Sequence, residues 1–452
     1  MTLITDSFTN VFMGSYVNKT LCAIIETRNM QNIRLTRYTN CFYRNRNNTI
    51  YFTPKINAYS ILQFCSAINY FKNVGKTSLT IDFSNVTKVF PNGMLPIICS
   101  VDDLRESGIK VFVKLPKDNE TRRLFRSVNW AHFLSPEQFQ KSDSTYDRHL
   151  VTRRFINAEE QLKAVNDFMD VVLRTMSIPK DIISGLEWSI NEITDNVLNH
   201  SDSKNGGIIQ ASTHYKENKI VFAVADGGRG ILKSMQEGFP NLRTELDAIG
   251  EAIKAGVTRN PKFGQGNGLA GTLRVTTLTG GSLEVFSGNG RLIATKDTTL
   301  RKPLRNASFN GALVSGEINI VDGFSISDAL NFNDKNYIPL DIVDLKYEME
   351  DADCLLLTMK EESTGFGSRK SGLQIRTKLI NLLKAKPNYP VVINWEGVPV
   401  ISSSFADELI GKLFIELGAM TFSSLVKNRN MEPLIKNLLD KAVAQRLTQE
   451  VD

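Results

Sequence analysis

Three segments, met in a fixed order near the middle of the chain, set the terms for how it can fold. In the first, residues 186–200, Leu186, Ile190, Ile193 and Val197 fall at helical spacing, so one stripe of a helix faces a core. Glu192, Asn196 and His200 follow at four-residue steps on another stripe, which aims a carboxylate, an amide and an imidazole at a common space. A solvated polar face has the same pattern, and the triplet alone does not separate the two. In the second segment an apolar strand over 220–225 runs directly into Asp226-Gly227-Gly228-Arg229-Gly230-Ile231. Glycines crowded behind a strand-terminal Asp bring a carboxylate and bare backbone against a ligand; the alternative is a tight turn, which rarely needs so many. In the third, Gly264-Gln265-Gly266-Asn267-Gly268-Leu269-Ala270-Gly271 opens a helical pattern whose free amides suit phosphate oxygens.

Two other glycine motifs fail on context. Gly266, Gly268 and Gly271 match the dinucleotide fingerprint, but the residues before them, 258–263, form a polar loop and not a strand. Gly367-Ser368-Arg369-Lys370-Ser371-Gly372 is not a P-loop, because Leu373 stands where the lysine must be.

A length of 452 residues suggests about three domains at roughly 150 residues each. Apolar and charged fractions of 42% and 23% are those of an ordinary soluble globular protein, so function must come from local motifs. The net charge of +6 is spread in singles and pairs such as Arg122-Arg123 and Arg153-Arg154, which gives no specific reason to expect nucleic acid as a partner. Five cysteines, Cys22, Cys41, Cys65, Cys99 and Cys354, form no CxxC pair and read as reduced, mostly buried thiols. No signal-like start and no run of about 18 apolar residues is present, so a cytoplasmic protein with no membrane partner is expected.

Residues 1–48 read as an irregular or partly stranded extension without legible chemistry. Residues 49–135 alternate β and α: strand over 50–52, helix over 61–71, strand over 79–83, helix over 93–106, strand over 111–115. Residues 336–446 repeat that order, with strands over 354–358 and 391–395 and helices over 373–383, 404–417 and 434–444. Ile81-Asp82-Phe83-Ser84-Asn85-Val86 lines up with Ile393-Asn394-Trp395-Glu396-Gly397-Val398, which suggests two copies of one small α/β domain. The polar, aperiodic stretches 135–147 and 323–335 suit inter-domain linkers bounding a central domain over 155–322. The expected fold class is therefore α/β multidomain.

As a set, the Glu-x-x-x-Asn helix, the Asp-x-Gly-x-Gly turn and the Gly-x-Gly-x-Gly loop resemble the N box and two glycine boxes of the GHKL superfamily of gyrase, chaperone ATPases, MutL and sensor or serine kinases. The resemblance implies a central Bergerat α/β sandwich that binds ATP and Mg²⁺. Asn196 would supply an oxygen to Mg²⁺, and Asp226 would accept from the adenine amino group. Gly228 and Gly230 would let the base approach, and Gly264, Gly266 and Gly268, with Asn267 and Leu269 in the same loop, would cover the phosphates. Ala312 stands where many members carry a Thr near the adenine, and no phosphate-binding lysine follows the loop. The run from Glu192 to His200 looks most like the anti-sigma-factor serine kinases, which implies Glu192 as a general base.

The stretch from Val398 to Leu409 looks like the STAS-like domain found fused to bacterial ATP-binding proteins, with Ser404 at the phospho-acceptor position. Phe405 replaces the usual small residue. Ser402 to Ser404 equally make a good helix cap, with Asp407 and Glu408 in the first turn. The first copy has Phe90, Pro91 and Asn92 there, without a hydroxyl, and reads as a docking or dimerisation module. Trp130 and His132 read as edge-of-core residues. Arg259 and Lys262 read equally as the cations that meet the phosphates from the glycine loop and as part of a solvated loop.

The expectation is a GHKL ATPase or serine-kinase-like switch, in which ATP binding or turnover alters how STAS-like domains meet a protein partner, with a homodimer compatible. The alternatives are a non-catalytic ATP-sensing scaffold in signalling or phage defence, and a DNA-associated clamp.

Overall fold

The computed structural model describes residues 41–448 apart from 45–46, 143–150, 257–266, 305–307, 333–334, 337–338, 340, 350–351 and 364. Over these residues the protein is mixed α/β with several separate sheets. The first holds β1 (Cys41–Arg44), β2 (Thr49–Phe52), β3 (Ser78–Asp82) and β4 (Lys110–Lys114) in that order. Helix α1 (Ala58–Asn73) links β2 to β3, and α2 (Pro91–Glu106) links β3 to β4. Strands β2, β3 and β4 are parallel, while β1 runs antiparallel to β2. Each expected strand and helix of 49–115 is present, with bounds that differ by one to three residues, and β1 adds structure to the end of the expected extension. Local chemistry explains the helix starts: Asn57 caps α1 by accepting from the Tyr59 amide at 3.0 Å, and Pro91 at the first position of α2 has no amide to satisfy. Helices α3 (Asn119–Ser127) and α4 (Trp130–Leu134) complete this part.

Seven strands form the central sheet: β5 (Arg153–Phe155), β6 (Gly207–His214), β7 (Lys219–Asp226), β8 (Ser282–Gly288), β9 (Gly290–Thr295), β10 (Thr299–Pro303) and β11 (Phe309–Asn319). Their order is β10-β9-β8-β11-β7-β6-β5, and every neighbouring pair is antiparallel. Helices α5 (Ala158–Thr175), α6 (Lys180–His200) and α9 (Gly268–Leu278) cover one face, while α7 (Gly230–Met235) and α8 (Glu245–Ala252) lie by its β8–β9 end. Strand β7 shows why both faces are covered. Ile220, Phe222 and Val224 join the core under α5 and α6, while Ala223 and Ala225 join Ile208, Phe286, Phe309 and Leu313 in a core shared with the N-terminal part. Helix α2 lies across β7 and β11 on that second face. Polar contacts pin it there: Asn92 donates to Glu284 at 3.0 Å, and Glu284 pairs with Arg291 at 2.6 Å. Trp130 is fully buried at this junction and donates to Gln210 at 2.7 Å, so it serves both core and interface. His132 lies close by, 3.0 Å from the Phe139 carbonyl.

The C-terminal sheet has order β12-β13-β14-β15, from β12 (Glu348–Met349), β13 (Ala352–Thr358), β14 (Val391–Asn394) and β15 (Val426–Arg429). Its last three strands are parallel and β12 is antiparallel to β13, the arrangement of the first sheet. Helix α11 (Arg369–Ala385) links β13 to β14. After β14 come α12 (Ser403–Ala406), one π-type turn (Asp407–Gly411), α13 (Lys412–Leu417) and α14 (Ala419–Leu425), and α15 (Pro433–Thr448) follows β15. The two strand–turn–helix units also agree bond for bond. Ser84 and Glu396 donate to Asp82 and Asn394, Val86 and Val398 donate to the Phe83 and Trp395 carbonyls, and Phe83 and Trp395 are both fully buried.

Helix α11 docks on α5. The buried Asn381 amide accepts from the Ile178 amide at 2.8 Å and donates to the Leu173 and Met176 carbonyls at 2.6 and 2.7 Å, so it satisfies the frayed end of α5. Lys378, almost wholly buried, pairs with Asp170 and Glu362 and donates to Tyr347 at 3.2 Å. Of residues 323–335, expected to be a linker, 326–332 are instead built into the fold: α10 (Ile326–Ala329) buries Ile326 and Ala329, Leu330 and Phe332 follow them into the core, and 333–334 lie outside the described residues. No helix among the described residues is long and apolar enough to cross a membrane.

Candidate functional site

Helix α6 turns Leu186, Ile190, Ile193 and Val197 into the core, which leaves Glu192 and Asn196 half-buried on its other stripe. Burial is the main force on the Glu192 carboxyl and, with Asp195 nearby, pushes it up to about 7. Asp195 is itself held by Gln161, which donates to it at 2.6 Å and to Thr194 at 2.9 Å. Gly268, the first residue of α9, sits so close that a methyl group there would lie 2.3 Å from Glu192 Oε2. The helix that the third segment opens therefore starts against Glu192, the expected general base.

Asp226 closes β7 on the same sheet face as Phe222 and Val224, the face of α6, by the alternation of the strand. It is 4% exposed, and burial drives its carboxyl up to about 7 even though the Gly228 and Ala312 amides bond to it. The Gly228 contact, 2.8 Å, makes an Asx turn. Gly228 is required because a Cβ there would fall 2.0 Å from the Ser201 carbonyl oxygen at the end of α6. The next amide, Arg229, donates to that same oxygen at 2.8 Å, and the Arg229 side chain donates to the His200 carbonyl at 2.9 Å. Gly230 has φ +79°, a left-handed conformation, and faces Ser287. Ser287 accepts from the Ile231 amide at 2.9 Å, and Glu245 accepts from Leu232 at 3.3 Å. The amides that open α7 are thus already used by side chains.

Glu192 and Gly268 are brought together, as are Asp226, Gly228 and Gly230. Asn267 turns its side chain to the Gly256 amide at 2.9 Å, and Leu269 is buried among Ile249, Leu283 and Val285, a packing role. Gly264, Gly266, Arg259 and Lys262 lie outside the described residues. Gln161, Ser201, Ser287 and Glu245 were not legible as parts of this region, since none belongs to a spaced motif. Among the described residues no group of three or more His, Cys, Asp or Glu side chains could hold a metal by itself. A cleft of about 550 Å³ opens behind the Gly227–Arg229 turn, between the end of α2 and the 202–206 loop, and of the predicted residues it contains only Gly228.

At the C-terminal turn the cap is Ser402, which accepts from the Phe405 amide at 3.1 Å. Ser404 is half-buried with its hydroxyl 3.0 Å from that of Ser402. Asp407 and Glu408 take no part in the cap. Asp407 pairs with Arg446 at 2.7 Å, and Glu408 with Lys412 at 2.6 Å and Arg376 at 3.2 Å. Phe405 is fully buried, edge-on to Phe366.

No curated protein and no solved structure matches the chain. Residues 371–436, which run from α11 through the Ser402–Ser404 turn into α15, match the family model described as a STAS-like domain of unknown function (DUF4325), so the C-terminal part contains a STAS-like domain.

Proposed function

We propose that the central region is a GHKL-type ATP-binding domain and that the protein is an ATPase or serine-kinase-like switch, in which ATP binding or turnover controls how its STAS-like domain meets a protein partner. The observation that carries this reading is the placement of two carboxyls, the half-buried Glu192 and the buried Asp226, on one side of the antiparallel sheet. Glu192 lies against the glycine that opens α9, and Asp226 lies under a glycine turn packed on the end of α6. A carboxyl raised to about 7 is suited to take a proton from water or a hydroxyl at neutral pH. Mg²⁺ fits such a site because it keeps several waters and commonly takes only one or two protein oxygens, the rest coming from phosphates. Here Asn196, one turn beyond Glu192, would be the protein ligand, and Asp226 with Gly228 and Gly230 would meet the base.

The test is MgATP turnover with intact-mass analysis of the full chain. Glu192→Ala is expected to lower turnover by about 10²-fold or more with ATP still bound, and absence of MgATP binding to the wild type would overturn the proposal. The second reading, a non-catalytic ATP sensor, is favoured by the buried bonds that join α11 to α5. Equal nucleotide consumption by wild type and Glu192→Ala, with ATP bound by both, would select it.

A further inference from the structure

The first α/β unit leaves one face of its sheet partly exposed. On the other face Ile50, Leu79, Ile81 and Val113 are buried in the core shared with α1 and α2. The alternate residues point away from that core, and strand pairing sets Arg44, Thr49, Thr80 and Phe112 in one row across the sheet and Tyr51, Asp82 and Lys114 in the next. Arg44, Phe112 and Lys114 are exposed, Tyr51 and Thr80 are half-buried, and Thr49 and Asp82 are buried. Strands β2, β3 and β4 are parallel, and a parallel sheet is normally covered on both faces, so this one calls for a partner.

Cations that stand singly in the sequence are gathered on this face. In Lys110-Val111-Phe112-Val113-Lys114 the alternation sets an exposed ammonium on each side of Phe112, itself 48% exposed. Arg44 lies over the Tyr51 ring, 5.2 Å from its centre. The one acid in these rows, Asp82, is paired with Lys114 at 3.6 Å and accepts from the Ser84 amide at 2.9 Å, so the surplus charge is positive. A lone exposed Phe needs no explanation, but a ring framed by cations on a parallel sheet does. We infer that this face binds single-stranded nucleic acid. Unpaired bases stack on Phe112 and at the Arg44–Tyr51 pair, and Lys110 and Lys114 meet phosphates. The two ring positions are two strands and two residues apart, about 12 Å, which seats two bases separately. A second copy of the chain does not fit, because like faces would set Lys110 and Lys114 against each other. An acidic protein surface would answer the cations and make no use of the ring. The inference is independent of the nucleotide reading above.

Fluorescence anisotropy of the full chain tests it, at low salt, about 50 mM, with labelled uridylate and thymidylate oligomers of about 20 nucleotides. At least one of them is expected to bind. Phe112→Ala is expected to weaken binding about fivefold or more at an unchanged urea midpoint, and Phe112→Tyr to keep it within about twofold of wild type. The double variant Lys110→Gln, Lys114→Gln is expected to flatten the slope of log K against log salt by about 1.4, from about 0.7 for each of two phosphate contacts. No binding of either oligomer by the wild type at low salt, or binding that Phe112→Ala leaves unchanged, overturns the inference. Equal competition by polyglutamate, the mark of a surface for acidic protein, also overturns it.

Discussion

Replacing Gly268 by Ala separates the chemistry of the site from the stability of the fold. The added methyl would sit 2.3 Å from Glu192 Oε2 and 3.2 Å from Glu192 Cβ and Cδ, so the carboxylate tip must retreat by about 1 Å to restore contact distance. That tip ends a flexible side chain, and leaving its preferred rotamer costs about 0.5–1.5 kcal/mol. Against this, Ala for Gly at a helical position stabilises by about 0.5–1 kcal/mol, so the net change in folding stability is within about 1 kcal/mol of zero. Catalysis has no such offset. A reacting group misplaced by about 1 Å loses on the order of 10²-fold in rate, about 2.7 kcal/mol in activation free energy. The assay is MgATP turnover alongside urea denaturation of wild type and Gly268→Ala. Gly228→Ala serves as the contrast, because its methyl would meet the Ser201 backbone carbonyl at 2.0 Å and no side chain can swing aside. Undiminished turnover in Gly268→Ala would refute the placement of chemistry at Glu192, and a stability loss above about 2 kcal/mol would refute the packing argument.

Two further outcomes follow from buried polar groups. Glu187 and Asp226 are each pushed up to about 7, mainly by burial, so the folded chain holds protons that the unfolded chain releases near pH 4. Their stabilising contribution is full below that pH and is lost as pH rises through 7, so the urea midpoint should fall between pH 5 and 8. Glu187→Gln should flatten the fall by on the order of 1–3 kcal/mol, and a midpoint that rises with pH in both proteins would contradict this. Asn381→Ala removes three bonds, strands the Ile178 amide and the Leu173 and Met176 carbonyls, and should cost about 3–5 kcal/mol in urea unfolding; wild-type stability would mean that α11 is not anchored to α5 there.

Elements with a strong period were legible from residues alone. The alternation in Ile220, Phe222 and Val224 gives β7 with nearly its observed bounds, and the helical spacing of Leu186, Ile190, Ile193 and Val197 gives α6 from residue 186 on, without its first six residues. Short segments whose shape depends on distant contacts were not. Ile326, Ala329 and Leu330 are too few to show a period, and their polar neighbours made 323–335 read as a linker, although α6 and α9 bury all three. Strand β15 has Val426 as its single apolar residue and exists because it pairs with β14. The docking of α2 on the central sheet depends on Ala223, Ala225 and Leu313 facing away from α6, and alternation alone does not say what covers that face. Gln161, Ser287 and Glu245 reach the site from three different elements, and no local pattern marks them.

The two small α/β units show how one local design takes on different roles. Their turns make matching hydrogen bonds, and from Asp82 and Asn394 onward the residues correspond one to one as far as Phe90 with Ser402 and Asn92 with Ser404. Phe90 offers no side-chain cap. Helix α2 begins without one because Pro91 leaves no first amide to satisfy, and this allows the helix start to be apolar where it approaches the central sheet. Asn92 then spends its amide on Glu284, inside that interface. In the C-terminal unit, Ser402 performs the capping, and the next two serines are exposed and half-buried. A hydroxyl at Asn92 would be shut inside a domain junction. The same position in the second unit, Ser404, is only half-buried, with its hydroxyl 3.0 Å from that of Ser402. The expectation of a docking or dimerisation module for the first unit therefore rests on what its helix start faces, more than on the absence of a serine.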